Sequence, residues 1–364
     1  MMKSLIIKAI FGLTVLFAAS LNVLAEIRTK SFTSLSGNQN NSWYEVFPGD
    51  GTTCARGQEF SFFYYPGNTE KLIVDFQGGG SCWSAKTCAK ESATFIDSVD
   101  YLRDLYAKDL EGIYAKDRLD NPIKDWTHVV IPYCTGDIHW GNLSRVYTRK
   151  NGSSFTIHHK GAANTKAVLD WVQKKFTKVK NLFVTGCSAG AYGSIYWTPK
   201  LKDMYPKAKL AQFGDAGAGV ITKDFASLIL HQWNSLEYAP TWIPIDWANP
   251  SLLAIYKGIG KYYPDITLSQ FNNAFDATQT FFYELMGGDG ADWSTTMLTH
   301  LADIQKDTPN FSSFTATGEN HCIIPYNRFY DVAEQNTMFK DWFGQQAEGG
   351  KQETISCEDC SMRE

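Results

Sequence analysis

Residues 186–190 read Gly-Cys-Ser-Ala-Gly and fit the pattern G-x-S-x-G, in which a strand turns sharply into a helix and presents a serine hydroxyl. The apolar run at 181–185 precedes this pentapeptide and is typical of a buried strand. Residues 191–200 predict a short helix that stops near Pro199. The glycines suit a strained turn packed between strand and helix, where a Cβ atom would collide. An ordinary strand-to-helix turn is the alternative, but this context favours Ser188 as a nucleophile.

The composition indicates a folded protein with a large core. The chain has 364 residues, of which 44% are hydrophobic and 20% charged, and its formal net charge is −4. This balance excludes a disordered chain and gives no basic patch for a nucleic-acid partner.

The N-terminus has the pattern of a secretory signal peptide. Lys3 and Lys8 precede an apolar run at 9–19, and small residues end at Ala25, where we expect cleavage. A membrane anchor is the alternative, but the apolar run is short and a cleavage signal follows it. The sequence therefore predicts a secreted or periplasmic protein without a stable membrane anchor, in which residues 26–364 form a single domain.

Short apolar runs alternate with amphipathic stretches through most of the chain, which predicts a parallel sheet flanked by helices. Residues 26–70 predict an N-terminal β region, and residues 222–300 predict a mostly helical segment that forms a cap over the site. The loop expected at 135–156 is polar. The other strands are expected at 72–76, 128–133, 210–213 and 312–317, and helices at 95–108 and 161–176.

Eight cysteines in an exported chain predict disulfides. Local pairing favours Cys82–Cys88 and Cys357–Cys360, and Cys54–Cys134 would tie the N-terminal region to the sheet. Cys187, beside the candidate nucleophile, and Cys322, beside a histidine, would then pair and brace the site. Eight cysteines permit about 105 pairings, so these four are hypotheses. A zinc site is the weaker alternative, because the C-terminal C-x-x-C has no matching histidine pair.

A serine that attacks an ester needs a base, an acid that orients the base, and donors for the oxyanion. In the α/β-hydrolase arrangement the order along the chain is serine, acid, histidine. Glycines 78–80 follow an early strand, so the amides of Gly79 and Gly80 are candidate oxyanion donors, and the amide of Ala189 is another. A flexible glycine turn is the alternative for this loop.

The base and the acid are chosen from few candidates. His321 follows the last predicted strand, whereas His231 and His300 fall in helical stretches. Asp215 and Asp276 both remain candidates for the acid. Spacing alone favours Asp215, because such acids usually follow strands.

Several motifs occur together along the chain. They are Gly-Gly-Gly-Ser-Cys-Trp at 78–83, Pro-Tyr-Cys-Thr-Gly-Asp at 132–137, the pentapeptide at 186–190, Gly-Asp-Ala-Gly at 214–217, Phe275-Asp276 with Gln279, and His321-Cys322. Through them the chain resembles the pectin acetylesterase and Notum family of extracellular serine esterases, over roughly residues 46–327. The resemblance implies Asp276 as the acid, His321 as the base, and Gly79, Gly80 and Ala189 as oxyanion donors. Asp215 then becomes a structural carboxylate, and Ala191 replaces a glycine that usually continues the family's elbow.

The implied function is ester hydrolysis through an acyl-enzyme, without a metal or other cofactor. The expected substrate is an acetylated carbohydrate such as pectin, and a fatty-acyl ester is the alternative within the family. Trp83, His139 and Trp140 are candidates to line the substrate cleft, although packing of Trp140 and solvation of His139 are equally acceptable. A non-catalytic binding protein and a serine peptidase of the same fold remain competing hypotheses.

Overall fold

The computed structural model describes residues 27–31, 42–106, 110–247 and 251–360. The expected signal peptide at 1–25 lies outside the described residues. Within these ranges, no helix has both the length and the apolar character that crossing a bilayer requires.

The strands and helices alternate along much of the chain. The strands are β1 Arg28–Ser31, β2 Tyr44–Phe47, β3 Phe62–Tyr65, β4 Asn68–Phe76, β5 Trp126–Ile131, β6 Leu143–Thr148, β7 Ser154–His159, β8 Asn181–Cys187, β9 Lys209–Asp215, β10 Thr267–Asn273, β11 Phe311–Ala316, β12 Ala333–Glu334 and β13 Thr337–Met338. The helices are α1 Ala85–Cys88, α2 Asp100–Tyr106, α3 Gly161–Lys175, α4 Ala189–Met204, α5 Lys223–Trp233, α6 Leu252–Tyr262, α7 Ala277–Leu285, α8 Trp293–Asp307 and α9 Phe339–Ala347.

The main sheet has the strand order β1-β2-β3-β5-β4-β8-β9-β10-β11. Strands β1, β2, β3 and β5 pair antiparallel, and every pair from β5 through β4 to β11 is parallel. The fold is therefore a mostly parallel, α/β-hydrolase-like sheet with an antiparallel N-terminal edge, as the sequence predicts. Because the carboxyl ends of parallel strands meet at one edge, the loops after β4, β8, β10 and β11 converge.

Both faces of the sheet are buried under helices. Alternate residues of β8 point to opposite faces, so Leu182 and Val184 join one apolar cluster and Phe183 joins the other. The first cluster includes residues of α3, α4, α6 and α8, and the second includes residues of α9. Burial on both faces explains why the strands read as continuous apolar runs.

Three local predictions from the sequence are wrong. The helix expected at 95–108 begins only at Asp100, and Phe95 instead forms a β-bridge with Gly80. The helix after the serine does not stop at Pro199 but continues to Met204, because it is buried among the core residues of one face. This burial outweighs the lost backbone hydrogen bond at proline, which costs about 3 kcal/mol. The region at 135–156 is also not all loop, since β6 and β7 form an antiparallel hairpin there.

The region at 222–300 is not one helical insertion. It contains α5, α6, α7 and most of α8, as the sequence predicts for a helical segment. However, β10 divides it and lies between β9 and β11 in the main sheet. The helices before and after β10 therefore approach the carboxyl edge of the sheet from two separate connections.

Candidate active site

Ser188 occupies a strained turn between β8 and α4. Its φ and ψ angles are 56° and −120°, and positive φ is costly for a residue with a side chain. Its backbone N–H donates to the carbonyl of Asp215 at 2.7 Å, and its own carbonyl accepts from the N–H of Ala191 at 2.9 Å. These bonds fix the turn, so the side chain of Ser188 projects at the first turn of the helix, as in a nucleophile elbow.

The glycines on either side of Ser188 allow the turn to sit against the end of β4. A Cβ atom on Gly186 would lie 2.5 Å from the carbonyl oxygen of Phe76, and one on Gly190 would overlap the same oxygen. Both positions therefore require glycine for close approach rather than for flexibility.

The glycine loop after β4 packs directly against the serine turn. A Cβ atom on Gly78 would lie 2.9 Å from the Cβ atom of Ser188. Gly80 has a φ of 75° and forms an isolated antiparallel bridge with Phe95. The hydrogen bonds of this bridge run from the N–H of Ser81 to the carbonyl of Thr94 and from the N–H of Ile96 to the carbonyl of Gly79. In such a pair the N–H of Gly80 points away from its bridge partner. The N–H of Ala189, at the start of α4, likewise has no acceptor within its own helix.

His321 pairs with Asp276, the residue that the resemblance implies as the acid. Its Nδ1 atom lies 2.8 Å from Oδ2 and 3.0 Å from Oδ1 of Asp276. Asp276 is fully buried, whereas the imidazole side chain is 21% exposed. The other ring nitrogen, Nε2, has no hydrogen-bond partner among the described residues, and His321 and Ser188 line the same pocket.

Gln279 holds the carboxylate of Asp276 from the other side. Asp276 caps α7 by accepting the backbone N–H of Gln279 at 2.9 Å, and it also accepts the side-chain Nε2 at 3.0 Å. The orientation of this amide is fixed, because its Oε1 accepts the N–H of Ala218 at 2.8 Å and its Nε2 also donates to Asn272. This role of Gln279 was not predicted. The Asp-x-x-Gln spacing at a helix N-terminus is the sequence signal that could have indicated it.

Asp215, the acid that spacing favours, does not reach the imidazole. Its Oδ2 accepts the backbone N–H groups of Ile323 and Ile324 at 2.8 and 2.9 Å. The side chain is fully buried, and this burial raises the pKa of Asp215 to about 7. Asp215 therefore supports the loop that carries His321, which matches the structural role that the resemblance implies.

Four disulfides link the pairs that the sequence analysis predicts. Cys187–Cys322 joins the residue before Ser188 to the residue after His321, across a sequence separation of 135 residues. This link ties the loops after β8 and β11 together at the site. The other three are Cys54–Cys134, Cys82–Cys88 and Cys357–Cys360.

Two groups of histidine and cysteine atoms in the described ranges have metal-like spacing. One contains Cys82, Cys88 and His159, and the other contains Cys187, Cys322 and His321. The cysteines of both groups are in disulfides, so they offer no thiolate to a metal.

A largely apolar pocket opens beside Ser188. Gly80, Ala189, His321 and Trp140 line this pocket together with the serine. The apolar lining comes mainly from α5, α6 and the segments around α7, and includes Val220, Ile221, Phe225, Ile229, Trp233, Leu252, Ile255, Phe282, Met286 and Trp293.

The other two cleft candidates lie outside this pocket. His139 is buried below it, where Nε2 lies 2.8 Å from the carbonyl oxygen of Gln77, and burial lowers the pKa of His139 to about 4. Trp83 is also buried and packs against Phe225, with 4.7 Å between ring centroids, behind the pocket wall.

Comparison with known proteins places the chain in a family. The pectinacetylesterase family model matches residues 39–233, which include the glycine loop and Ser188. The chain belongs to the pectinacetylesterase family. Asp276 and His321 lie beyond the matched region.

Similar proteins include plant and animal members of this family. Pectin acetylesterase 11 of Arabidopsis thaliana is 27% identical over 180 residues, which cover 48% of this chain and 44% of the relative. The palmitoleoyl-protein carboxylesterase Notum of Schmidtea mediterranea is 27% identical over 154 residues, which cover 41% of this chain and 28% of the relative. The chain thus spans less than half the length of these pectinacetylesterase relatives.

The fold continues beyond the sequence match. The solved structure of the Wnt deacylase Notum from Drosophila superposes with a TM-score of 0.61 and covers 84% of this chain and 93% of its own. At 17% identity this likeness concerns the fold alone, and it extends the shared architecture beyond the region of the pectinacetylesterase match.

Proposed function

We propose that this protein is a serine carboxylesterase whose catalytic triad is Ser188, His321 and Asp276. The observation that carries the proposal is the His321–Asp276 pair: the carboxylate lies 2.8 Å from Nδ1, while Nε2 is left without a partner in the pocket that Ser188 also lines. A histidine oriented in this way can remove the proton from a serine hydroxyl.

The proposed reaction proceeds through an acyl-enzyme. His321 Nε2 takes the proton from Ser188 as its oxygen attacks the ester carbonyl carbon, and Asp276 stabilises the imidazolium that forms. The imidazolium then gives this proton to the departing alcohol oxygen as the C–O bond breaks. A water molecule, deprotonated by His321, then attacks the acyl-enzyme. The imidazolium gives this proton to the Ser188 oxygen as the bond to the acyl carbon breaks, which releases the acid and restores the serine hydroxyl.

The amides of Gly79, Gly80 and Ala189 would bind the oxyanion. The close packing of Gly78 on Ser188 brings the glycine loop beside the first turn of α4, and the N–H of Gly80 points away from its bridge partner. The N-terminus of α4 adds a favourable field for the negative charge. Removing one such donor from comparable sites costs about 100- to 1000-fold in turnover.

We propose an acetylated carbohydrate, such as acetylated pectin, as the substrate. This proposal comes from the pectinacetylesterase family and from the relatives named pectin acetylesterases. A small acyl group needs only the space next to Ser188. A serine peptidase would use the same Asp276–His321 geometry, so activity on ester and on peptide substrates separates it from an esterase. A binding protein would keep the geometry without turnover.

The apolar wall of the pocket favours a second candidate substrate, an ester of a longer acyl chain. The side chains of Ile229, Leu252, Ile255 and Trp293 add to the apolar lining of the pocket that Ser188 also lines, which is more apolar surface than an acetyl group needs. Burying each additional methylene there would contribute about 0.8 kcal/mol.

Hydrolysis rates across nitrophenyl esters from acetyl to palmitoyl separate these candidates, with Ser188→Ala as the control. A sharp preference for acetyl supports the carbohydrate deacetylase, and a rise with chain length supports the long-chain alternative. Hydrolysis of peptides but not esters would favour the peptidase. No Ser188-dependent turnover on any substrate would overturn the proposed function and favour the binding protein.

We also propose that the protein is exported, to the periplasm or the exterior. The N-terminal pattern of a signal peptide and four disulfides in the described residues both support an oxidising compartment. N-terminal sequencing of protein recovered outside the cytoplasm should begin at residue 26, and an intact N-terminus would contradict cleavage.

A further inference from the structure

His321 lies between two depressions of opposite character. On one side it lines the apolar pocket together with Ser188. On the other side it lines an open groove, here called the polar groove, whose residues are Glu111, Asn320, His321, Tyr326, Asn327 and Arg328. An ester held at Ser188 has two ends, so the acyl group and the alcohol can occupy different depressions.

The polar groove combines an aromatic face with hydrogen-bonding groups. The side chain of Tyr326 is 49% exposed, and Arg328 covers one face of its ring, with the guanidinium carbon 5.0 Å from the ring centroid. Asn320, Asn327 and Glu111 are exposed beside it. Hydroxyl-rich rings with an apolar face are recognised by this combination of an aromatic platform and planar polar side chains.

The backbone of the polar groove is held in place by hydrogen bonds. The carbonyl of Asn320 accepts from the side chain of Asn273 at 2.7 Å, and the N–H of Asn327 donates to Glu111 at 3.2 Å. Arg328 donates from Nη2 to the carbonyls of His321 and Cys322. The groove is therefore fixed relative to the imidazole.

We propose that the polar groove binds the sugar ring that carries the ester, with the ring stacked on the open face of Tyr326. The inference rests on the proposed function, in which His321 returns a proton to the departing alcohol. That alcohol must lie within reach of the imidazole, and the groove is the polar depression that shares His321 with the acyl pocket. Asn327, the next residue after Tyr326, offers an exposed side-chain amide in the same groove.

Binding of a short, unacetylated oligogalacturonide to the whole chain tests the groove without turnover. Calorimetry should give saturable binding. Loss of a stacking partner in Tyr326→Ala should raise Kd about fivefold, and Asn327→Ala should raise it as well. Tyr262→Ala is the matched control, because Tyr262 is 47% exposed and lies outside the groove, and its Kd should not change. No saturable binding, or a Kd unchanged within about twofold in both groove variants, would overturn the inference.

Kinetics separate this inference from the proposed function. On an acetylated oligogalacturonide, Tyr326→Ala should raise KM and leave kcat nearly unchanged, whereas hydrolysis of ethyl acetate, which has no ring, should be unaffected. Equal losses on both esters would indicate a general defect and contradict a sugar site. If the chain hydrolyses neither ester, the acetyl ester fails as the proposed substrate, and the calorimetric result still decides whether the groove binds sugar.

Discussion

Replacing Asp276 by Asn exchanges one carboxylate oxygen for an NH2 group and should disable the proposed triad while keeping the fold. Oδ1 of Asp276 caps α7 by accepting the N–H of Gln279, and asparagine is an equally good cap through its own oxygen. The amide nitrogen must then occupy the position of Oδ2. At that position it meets Nδ1 of His321 and Nε2 of Gln279, which lie 2.8 and 3.0 Å from Oδ2.

This placement forces the wrong tautomer on the imidazole. Gln279 cannot turn its oxygen toward Asn at 276, because Ala218 donates to that oxygen. The new amide N–H can be satisfied only if Nδ1 of His321 accepts it, which moves the ring proton to Nε2. A protonated Nε2 cannot take the proton of Ser188. We therefore expect kcat to fall by about 10⁴, or about 5 kcal/mol in the barrier.

The assay is turnover of nitrophenyl acetate by Asp276→Asn, with unfolding in denaturant as the test of the fold. In the variant, the amide nitrogen at position 276 faces Nε2 of Gln279, and both atoms are donors. This contact should lower the free energy of unfolding by about 1–3 kcal/mol, which leaves the protein folded at room temperature. Asp215→Asn is the matched control and should lose far less activity, because Asp215 contacts backbone N–H groups and not the imidazole. Greater loss of activity in folded Asp215→Asn than in Asp276→Asn would refute the assignment of the acid.

Two further predictions concern the supports of the site. Replacing both Cys187 and Cys322 by Ser should lower the free energy of unfolding by about 3–5 kcal/mol and reduce turnover. Removing the Cys82–Cys88 disulfide should lower it by only about 2 kcal/mol, because that disulfide closes a short loop. Equal losses in denaturant titrations would contradict this prediction. Burial raises the pKa of Asp215 from 3.8 to about 7, so between these pH values the folded state holds a proton that the unfolded state has released. The contribution of Asp215 to the free energy of unfolding therefore falls as the pH rises from 4 to 7. The stability of Asp215→Asn relative to the unmodified protein should therefore increase over that range, and a difference independent of pH would disprove the raised pKa.

The sequence predicts the strand, turn and helix around Ser188 well because their signal is local. A strand, a turn and a helix are contiguous in the chain, and glycines at 186 and 190 are needed for contact with Phe76. The parallel sheet was predictable for a similar reason, since strands such as β8 are buried on both faces and read as apolar runs.

Asp276 could not be chosen from the local sequence pattern, because the strand before it lacks the apolar pattern of a buried strand. All seven residues of β10 are buried, yet Ser269, Gln270, Asn272 and Asn273 are polar, so the apolar signal of a strand is lost. Only the resemblance favoured Asp276. Buried polar side chains of this kind are satisfied by partners distant in sequence, as Ser269 is by the carbonyl of Gln212, and no local window contains such a partner.

Whether His139 and Trp140 line the pocket depends on the backbone conformation of their turn, which the sequence does not show. His139 has a φ of 65°, and its ring contacts Phe76 and Tyr133 in the core instead of lining the pocket. Trp140, its neighbour, lines the pocket and donates from Nε1 to the carbonyl of Tyr192. Adjacent residues in a turn can thus have opposite environments, and residue type alone does not separate them.

The most direct test of the central claim is to find which residue forms the covalent intermediate. The protein is treated with a fluorophosphonate that reacts with activated serines, digested, and mapped by mass spectrometry. We expect one label on Ser188, loss of the label in Ser188→Ala, and full labelling of the control Ser194→Ala, since Ser194 lies on the same helix but bonds to the carbonyl of Ala191. Labelling of another residue in the unmodified protein, or undiminished labelling of Ser188→Ala, would contradict the account.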